Sequence, residues 1–533
     1  MISKKVQLIF IFIIIYSMAL GIRVYWLTQK NGFHVDEGLS LANACYNEYI
    51  STKNYELNRE YSGKEVREES LVSNASFKDA FSDIGKLWKD NRDSPHTNFY
   101  YSLFRLSLAG IKTGDMKLII FRGGILNLIL FTVSFIFFFL LIRLLFPASA
   151  LLQYLAIACA FLSTAAISNT LFLRPYQLQE TMFIIFCYYF AKNINLQNFI
   201  CDNRSVIIKK SLTLLCLSFI TAFTLLTGYY AAIFVGLFGI FIIYVNCKNK
   251  TYKEILFYFF VLCLGILLAL ALYPKFFAGF TSYRAAGTAR TLFTDAGGNI
   301  ASSLTAALTL LVKHFFIVPV LALCCICTVL LILLKQKLIV QRLGLFIFIA
   351  SLIYILVTLI IAPYKILRYG MSVYPFLIIF PIMIIDSVKV RFKNVSIAIM
   401  MLFVMSFMAG AVNQNKIENI YPNKSNEYVF SKEKDIPVYV LMFYFTDWNY
   451  VGTWKYANLV PYFNDEQKYY FIVDSDELFS SPYEEFYLVM ENYPRMIPFS
   501  DPKFEILEEF EMTGGEPETE ASYFIGRKFK RIQ

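Results

Sequence analysis

The sequence predicts a polytopic α-helical membrane protein that ends in a small α/β domain. Of its 533 residues, 57% are apolar and 17% are charged, and the mean hydropathy is +0.54. An ordinary soluble domain carries a charged share of about 25%, so this composition excludes that class. The apolar residues also gather in runs of membrane-spanning length, and these runs stop before the last segment of the chain.

The first apolar run covers residues 6–27 and follows Lys4 and Lys5. It is too long for the core of a signal peptide, and no small-residue cleavage site follows it, so we expect an uncleaved signal anchor. The further runs of suitable length lie near residues 119–142, 148–166, 176–191, 211–227, 229–246, 254–273, 313–334, 343–361, 369–386 and 395–412. The sequence therefore predicts about eleven transmembrane helices, within a range of about 11 to 13.

Lysine and arginine gather in every second connection between the predicted spans, from Arg143 onward. Cytoplasmic connections carry this bias, so the N-terminus is expected inside and the loop after the first span outside. An odd number of spans also places the C-terminal segment outside. The net charge of +10 follows from these inner loops, so no nucleic-acid partner is expected.

Two short segments before the second span predict helices that do not cross the membrane. Residues 99–113 are short for a span and contain Arg105, and a crossing there would turn the basic connections outward. We therefore expect a re-entrant or interfacial helix. Upstream, Phe77, Phe81 and Trp88 recur at helical spacing among charged residues, which predicts a helix lying in the membrane surface.

The chain divides into a membrane domain, residues 1–413, and a C-terminal domain, residues 414–533. The membrane domain includes a first outward loop at residues 28–98 and a second at residues 274–312. In the C-terminal domain, short apolar runs such as Phe486–Met490 alternate with turn-rich segments, which predicts an α/β domain. It contains no phosphate-loop, dinucleotide or zinc spacing, so nothing marks it as catalytic.

The ten cysteines are scattered, mostly within or beside the predicted spans. A disulfide framework is therefore not expected, and no spacing typical of metal ligands is present. We expect no cofactor, although adjacent Asp and Glu side chains could hold a divalent cation.

Asp36 and Glu37 are the strongest indication of function in the sequence. They lie just beyond the first span, and carboxylates beside a membrane are costly unless something uses them. The pair therefore predicts a site. Its ordinary alternative is a solvated loop pair or a helix N-cap.

Cationic and aromatic side chains gather on the same predicted outer face. Outward arginine runs against the positive-inside tendency, so each such residue calls for an anionic partner, and guanidinium groups bind phosphate oxygens in pairs. Each could instead anchor the end of a span. The candidates for binding a phosphate donor are His96, Arg174, Tyr176, Arg284, Arg290, Arg368 and Tyr369.

An acid pair on the same face as many cations fits glycosyl transfer from a lipid-linked phosphate sugar. A polyprenyl phosphate leaves as an anion that Arg and Lys stabilise, so it needs no general acid. One carboxylate is then enough to accept the proton of an attacking hydroxyl, a role that contributes roughly 10²–10⁴-fold. A single displacement inverts the anomeric centre.

These residues also resemble a known family. Asp36-Glu37 after the first span, the stretch from Asp93 to Tyr101, Arg174-x-Tyr176 and Arg368-Tyr369 are similar to the GT-C superfamily of membrane glycosyltransferases. The similarity is to the family 39-like group of protein O-mannosyltransferases and lipid A aminoarabinose transferases, over residues 1–412.

The resemblance implies the GT-C fold and a role for each matched residue. Asp36 would be the catalytic base or the carboxylate that binds the acceptor, and Glu37 would support the site. Arg174, Tyr176 and Arg368 would lie around the donor pyranose or phosphate. His96 would match the histidine of a His-Pro-Pro-Leu-Tyr-Tyr-like motif near donor phosphate or acceptor. Here the motif reads His-Thr-Asn-Phe-Tyr-Tyr. Both prolines are absent, which favours a different acceptor.

The sequence thus predicts an inverting glycosyltransferase of a bacterial inner membrane with its site facing the periplasm. The expected partners are a polyprenyl-phosphate-linked sugar, membrane lipid and a glycan, lipid or protein acceptor. A transporter or flippase is one alternative, but repeats are absent and the spans are nearly free of mid-membrane charge. An O-antigen polymerase or ligase is the other, and it would carry an Arg-rich large outer loop.

Overall fold

The structure is a computed structural model, and it describes most of the chain. The described residues are 4–45, 56, 58–71, 76–89, 96–111, 116–196, 204–277, 296–315, 318–333, 335, 339–362, 365–389, 392–420, 433–441, 444–445, 450–451, 463–472, 478, 481–491, 503–512 and 524–532.

Helices occupy most of the described chain. They are α1 (Lys4–Gln29), α2 (Val35–Cys45), α3 (Gly63–Leu71), α4 (Phe77–Lys89), α5 (Phe99–Ser107), α6 (Met116–Leu145), α7 (Ala150–Phe161), α8 (Thr164–Leu171), α9 (Tyr176–Leu196), α10 (Arg204–Leu225), α11 (Ala231–Lys248), α12 (Tyr252–Leu272), α13 (Ala296–Leu310), α14 (Val318–Leu333), α15 (Arg342–Ile361), α16 (Tyr374–Leu377), α17 (Ile379–Lys389) and α18 (Lys393–Ala411). A π-helical turn, Leu311–Phe315, continues α13, and 3₁₀ turns cover Leu367–Tyr369, Met371–Val373 and Gln414–Lys416.

Most predicted spans coincide with one helix. Three do not: residues 148–166 comprise α7 and the start of α8, residues 313–334 comprise the end of the π-helical turn and α14, and residues 369–386 comprise 3₁₀ turns, α16 and α17. In the described part of the chain, seven helices are long and apolar enough to cross a membrane, or nine if two bent pairs each count as one span. This number is smaller than the predicted eleven for a physical reason at α9. Its first turns carry Gln177, Gln179 and Glu180, which lower its hydropathy.

The chain forms two compact units. The first comprises residues 1–25, 93–100 and 127–418 and contains most of the apolar helices. Aromatic rings pack between these helices. For example, Phe183 stacks on Phe234 with ring centroids 4.3 Å apart. The path of the chain bends by 53° between α7 and α8, where the Ser163 hydroxyl accepts a hydrogen bond from the Ala166 N–H and begins α8.

The connection from α8 to α9 is a tight turn that carries Arg174. Pro175 follows Arg174 and disfavours helical backbone at that residue, so α8 ends at Leu171 and α9 begins at Tyr176. The backbone N–H of Arg174 closes the turn by donating to the Phe172 carbonyl at 2.8 Å. The buried Arg174 therefore lies in a turn between two helices, not within either of them.

The second unit comprises residues 26–92, 101–126 and 419–533. Its sheet is formed by β1 (Glu60–Ser62), β2 (Val438–Leu441), β5 (Lys468–Ile472), β6 (Glu485–Glu491), β7 (Phe504–Met512) and β8 (Phe524–Arg531); β3 (Tyr444–Phe445) and β4 (Tyr450–Val451) pair separately. The order is β1-β5-β2-β6-β8-β7, with β2 parallel to β5 and β6. The predicted sheet region is thus confirmed, and β1 joins it from the first loop.

The two short helices predicted before the second span are present. Helix α5 has nine residues, too few to cross a bilayer. Its Arg105 donates a hydrogen bond at 2.9 Å to Asp83 of α4, and both side chains are buried. Helix α4 exposes Phe77 and Phe81 on its opposite face. The amphipathic pattern is confirmed, and its contact with lipid stays a prediction.

Candidate functional site

Asp36 and Glu37 lie in the first turn of α2, within the second unit. His34 caps this helix, because its Nδ1 accepts a hydrogen bond at 3.0 Å from the Asp36 N–H. Glu37 reaches back, and its Oε2 accepts from the His34 N–H at 2.7 Å. This reciprocal pair is a capping box in which histidine takes the place of Ser or Thr. It orients both carboxylates.

Glu37 is fully buried and forms an ion pair with Lys30, which is also buried. The Lys30 Nζ lies 3.0 Å from each carboxylate oxygen of Glu37 and also donates to the Asn419 carbonyl at 2.6 Å. Burial lowers the pKa of Lys30 below its ordinary value, and the Glu37 carboxylate opposes that shift. These contacts make Glu37 a structural anchor of α2.

Asp36 has a different environment from its neighbour. Its side chain keeps 19% of its surface exposed, and its Oδ2 lies 3.8 Å from His34 Nδ1. That nitrogen accepts the Asp36 N–H, so it carries no proton and His34 is neutral there. A partly exposed carboxylate at the start of a helix stays ionised readily and can accept a proton from a bound hydroxyl.

In the first unit, Arg174 contacts His96. The Arg174 Nη2 lies 2.9 Å from His96 Nε2. A guanidinium can only donate, so Nε2 must present its lone pair and His96 is the neutral tautomer with its proton on Nδ1. Arg174 is buried, whereas His96 is half-buried. The structure thus brings together two residues that the sequence places 78 positions apart.

Aromatic side chains continue this group. Tyr176 stacks on Phe172, with ring centroids 5.8 Å apart, and meets the edge of Tyr369 at 6.4 Å. The Tyr230 ring packs against Tyr369 from another side. Arg368 is buried and its guanidinium lies 5.3 Å from the Tyr369 ring centroid. We call His96, Arg174, Tyr176, Arg368 and Tyr369 the arginine–aromatic cluster.

Comparison with known proteins gives one result. No protein-family model matches the sequence, and neither does any curated protein. Among solved structures, the chain is similar to ArnT from Cupriavidus metallidurans, whose crystal structure was determined with bound undecaprenyl phosphate. The TM-score is 0.51 over 97% of each chain, at 10% identity. The chain has the GT-C fold.

Within this GT-C fold the predicted site residues fall into two groups. Asp36 and Glu37 belong to the second unit, and the arginine–aromatic cluster belongs to the first. Arg284 and Arg290 lie outside the described residues. In the described part of the chain, no three His, Cys, Asp or Glu side chains form a group that could hold a metal ion.

The expectation that the spans are nearly free of mid-membrane charge stays a prediction, but two charged residues near the ends of predicted spans are buried. Arg23 of α1 and Glu180 of α9 are fully buried in the first unit. Arg23 Nε donates to the Thr170 hydroxyl at 2.9 Å, which in turn lies 2.9 Å from Gln177 Oε1, and Gln177 donates to Glu180 at 3.0 Å. Both residues lie near the ends of apolar runs, so the sequence pattern places them at span ends and not in the interior.

Sequence reasoning also missed the residues that support the two groups. Lys30 was not singled out because a lysine after a span looks like an ordinary interfacial anchor. The spacing His34-x-x-Glu37 was a usable signal, since a capping box has this separation. No local sequence pattern indicates the contact between Arg174 and His96, because the two residues lie far apart in the chain.

Proposed function

We propose that the protein is an inverting glycosyltransferase that transfers a sugar from a polyprenyl-phosphate donor to a hydroxyl or phosphate acceptor. The observation that carries this proposal is the arginine–aromatic cluster on a GT-C fold. Two buried arginines lie beside aromatic or histidine side chains: Arg174 contacts His96, and the Arg368 guanidinium lies 5.3 Å from the Tyr369 ring centroid. Buried guanidinium groups are costly unless an anion or a polar network compensates them, and phosphate suits their geometry.

The cluster has the chemistry that a phosphate sugar requires. Arginine stabilises the phosphate as the bond to the anomeric carbon breaks and charge develops on the leaving group. The rings of Tyr176 and Tyr369 offer apolar faces for a sugar or for the first lipid carbons. Neutral His96 holds the Arg174 guanidinium by a hydrogen bond without adding a second positive charge.

Asp36 is the proposed base. As the acceptor oxygen attacks the anomeric carbon, its proton passes to the Asp36 carboxylate, and the sugar–phosphate bond breaks on the opposite face of the ring. The polyprenyl phosphate departs with the bonding electron pair. The partly exposed Asp36 is suited to this step, whereas the buried Glu37 is engaged by Lys30 and by the cap of α2.

The test is Asp36→Asn, measured as transfer to envelope glycans or glycoproteins in cells that lack the native protein. We expect activity to fall by about 10²-fold or more with unchanged protein level. The matched control is Asp79→Asn, because Asp79 also lies in the first turn of an amphipathic helix but is exposed. Asp79→Asn should retain activity.

Near-normal transfer by Asp36→Asn would eliminate Asp36 as the base. A comparison of envelope glycans, lipid A and glycoproteins with and without the protein identifies the acceptor class in the same cells. The protein is proposed to act at the periplasmic face of a bacterial inner membrane, without a metal ion. Transfer that stops on chelation and returns with Mg²⁺ would contradict the metal-independent mechanism.

The buried charges Arg23 and Glu180 are the one observation that favours a transporter, because ionisable residues within spans often mark transport pathways. Here, however, Asn169 and Gln177 each donate to Glu180 at 3.0 Å, which satisfies its carboxylate within the protein. Reconstituted vesicles distinguish the two functions. A transporter would move a lipid-linked sugar across the bilayer with no acceptor present, and a glycosyltransferase would not.

A further inference from the structure

We infer that Asn127 of α6 is a positioning residue that holds Arg174 and His96 in the geometry for binding the donor phosphate. This inference rests on the proposed function for the identity of the ligand, but the positioning itself depends only on contacts within the first unit. Asn127 is fully buried and lies in the middle of an apolar helix. A buried amide is costly unless its groups are paired, so its contacts explain its presence.

Asn127 joins two segments through three hydrogen bonds. Its Nδ2 donates to the Thr170 carbonyl at 3.0 Å and to the Phe172 carbonyl at 2.9 Å. Its Oδ1 accepts from the Tyr100 hydroxyl at 3.2 Å. Because carbonyl oxygens only accept, both must face the amide nitrogen, and this fixes the orientation of the side chain.

The two segments are those that carry the interacting pair. Thr170 and Phe172 mark the end of α8 and the start of the turn that holds Arg174. Tyr100 lies in the first turn of α5, four residues after His96. One side chain thus links the backbone on either side of Leu171 to the helix that follows His96.

Further contacts hold the other end of the turn. The Ser372 hydroxyl lies 3.3 Å from the Tyr176 carbonyl and donates to Gln179 Oε1 at 2.7 Å. The Tyr354 hydroxyl reaches the same Gln179 oxygen at 3.1 Å. The C-terminal side of the turn therefore has its own partners. On its N-terminal side, Asn127 binds the backbone carbonyls, while Arg23 binds the Thr170 hydroxyl.

The consequence for function depends on how the Arg174 guanidinium is oriented. A guanidinium binds phosphate strongly when it is oriented before the ligand arrives, because its side-chain entropy is then already lost. Without Asn127, the Thr170 and Phe172 carbonyls each lose one hydrogen bond, and the Phe172 carbonyl keeps only the bond from the Arg174 N–H among those described, so the turn is held less firmly. Arg174 would then meet the phosphate from a wider range of positions.

The experiment compares Asn127→Ala with Asn246→Ala in the full-length protein. Asn246 is a matched control, since it is a buried asparagine of α11 that donates at 2.8 Å to Ile242 within its own helix. Hydrogen exchange of the peptide covering residues 170–176 reports the turn without any ligand. We expect faster exchange there in Asn127→Ala and unchanged exchange in Asn246→Ala. Equal exchange in both variants would overturn the positioning role.

Binding of undecaprenyl phosphate, compared with undecaprenol, isolates the contribution of the phosphate. Asn127→Ala should reduce the preference for the phosphate by about tenfold. In an Arg174→Ala background the same substitution should change it by less than about twofold, because residues acting through one contact are not additive. An equal loss in both backgrounds would overturn the inference. If the wild-type protein shows no preference for the phosphate while Asn127→Ala still shows the expected faster exchange, the proposed function is refuted and the positioning role stands.

Tyr100→Phe provides a milder perturbation if Asn127→Ala folds poorly. It removes only the hydroxyl that donates to Asn127 and keeps the buried ring. We expect the same changes in exchange and phosphate preference, with smaller amplitude. A phosphate preference that stays at the wild-type level, with unchanged exchange, would contradict the link between the His96 segment and the turn.

Discussion

Replacement of Glu37 by Gln tests whether this carboxylate is structural. The substitution keeps an oxygen that can accept from the His34 N–H, but it removes the charge that compensates Lys30. Both side chains of the pair have no exposed surface, and the Lys30 Nζ lies 3.0 Å from both carboxylate oxygens. Removing one partner of such a buried pair costs about 3–5 kcal/mol.

For a unit of this size, each kcal/mol lowers the unfolding midpoint by about 2–4 °C, so Glu37→Gln should lower it by roughly 6–20 °C. The double variant Lys30→Met, Glu37→Gln should recover much of this loss, because no uncompensated charge remains. A residual cost of about 1–3 kcal/mol is expected from the Asn419 carbonyl, which loses the Lys30 hydrogen bond.

The assay is the thermal unfolding midpoint of the protein in detergent, read beside its transfer activity. Glu65→Gln is the control, because its pair with Arg59 is partly exposed and such pairs contribute about 0–1 kcal/mol. A wild-type midpoint together with abolished transfer in Glu37→Gln would refute our reasoning. That result would make Glu37 part of the catalytic machinery instead of an anchor of α2.

Three other predictions follow from named contacts. In Glu37→Gln the pKa of Lys30 falls further below its ordinary value, so unfolding takes up a proton at pH values below the ordinary lysine pKa. The unfolding midpoint should therefore rise as the pH approaches that value, more steeply than in wild type, and equal pH profiles would contradict this. Arg174→Lys should raise the donor KM by about tenfold because lysine cannot bind phosphate oxygens in pairs. Arg122→Lys is the control and should not raise it, because Arg122 of α6 donates to the Ala109 carbonyl at 2.7 Å. Phe81→Ser should weaken protection of α4 by lipid in hydrogen exchange, and unchanged protection would argue against an interfacial helix.

Much of the fold could be predicted because the membrane imposes strong local rules. A run of apolar residues long enough to cross a bilayer must be helical, since its backbone groups find no water, so most predicted spans coincide with one helix. The bend between α7 and α8 and the 3₁₀ turns before α16 were not predicted. Short apolar runs between turn-rich segments likewise indicated β2, β5, β6 and the start of β8, but β7 was not among the predicted runs. The strand β1 was not predicted, because three residues carry too little periodicity and its partner β5 lies far along the chain.

The site residues could be predicted where a charged side chain is unusual for its position in the sequence. Asp36, Arg174 and Arg368 are charged residues beside apolar runs, and that conflict alone identified them. Arg23 and Glu180 stand in similar conflict but were absorbed into the ends of predicted spans. Only their burial, with partners on other helices, shows that they belong to the interior.

The sequence by itself determined that the chain is a helical membrane protein and which charged side chains need a reason to exist, because hydropathy and charge are local properties. It separated Asp36 from Glu37 only through the family resemblance. The tertiary structure decided that Glu37 is buried against Lys30 while Asp36 keeps exposed surface. It also decided that His96 meets Arg174. Contacts between residues far apart in sequence depend on how the helices pack, and packing leaves no local pattern in the chain.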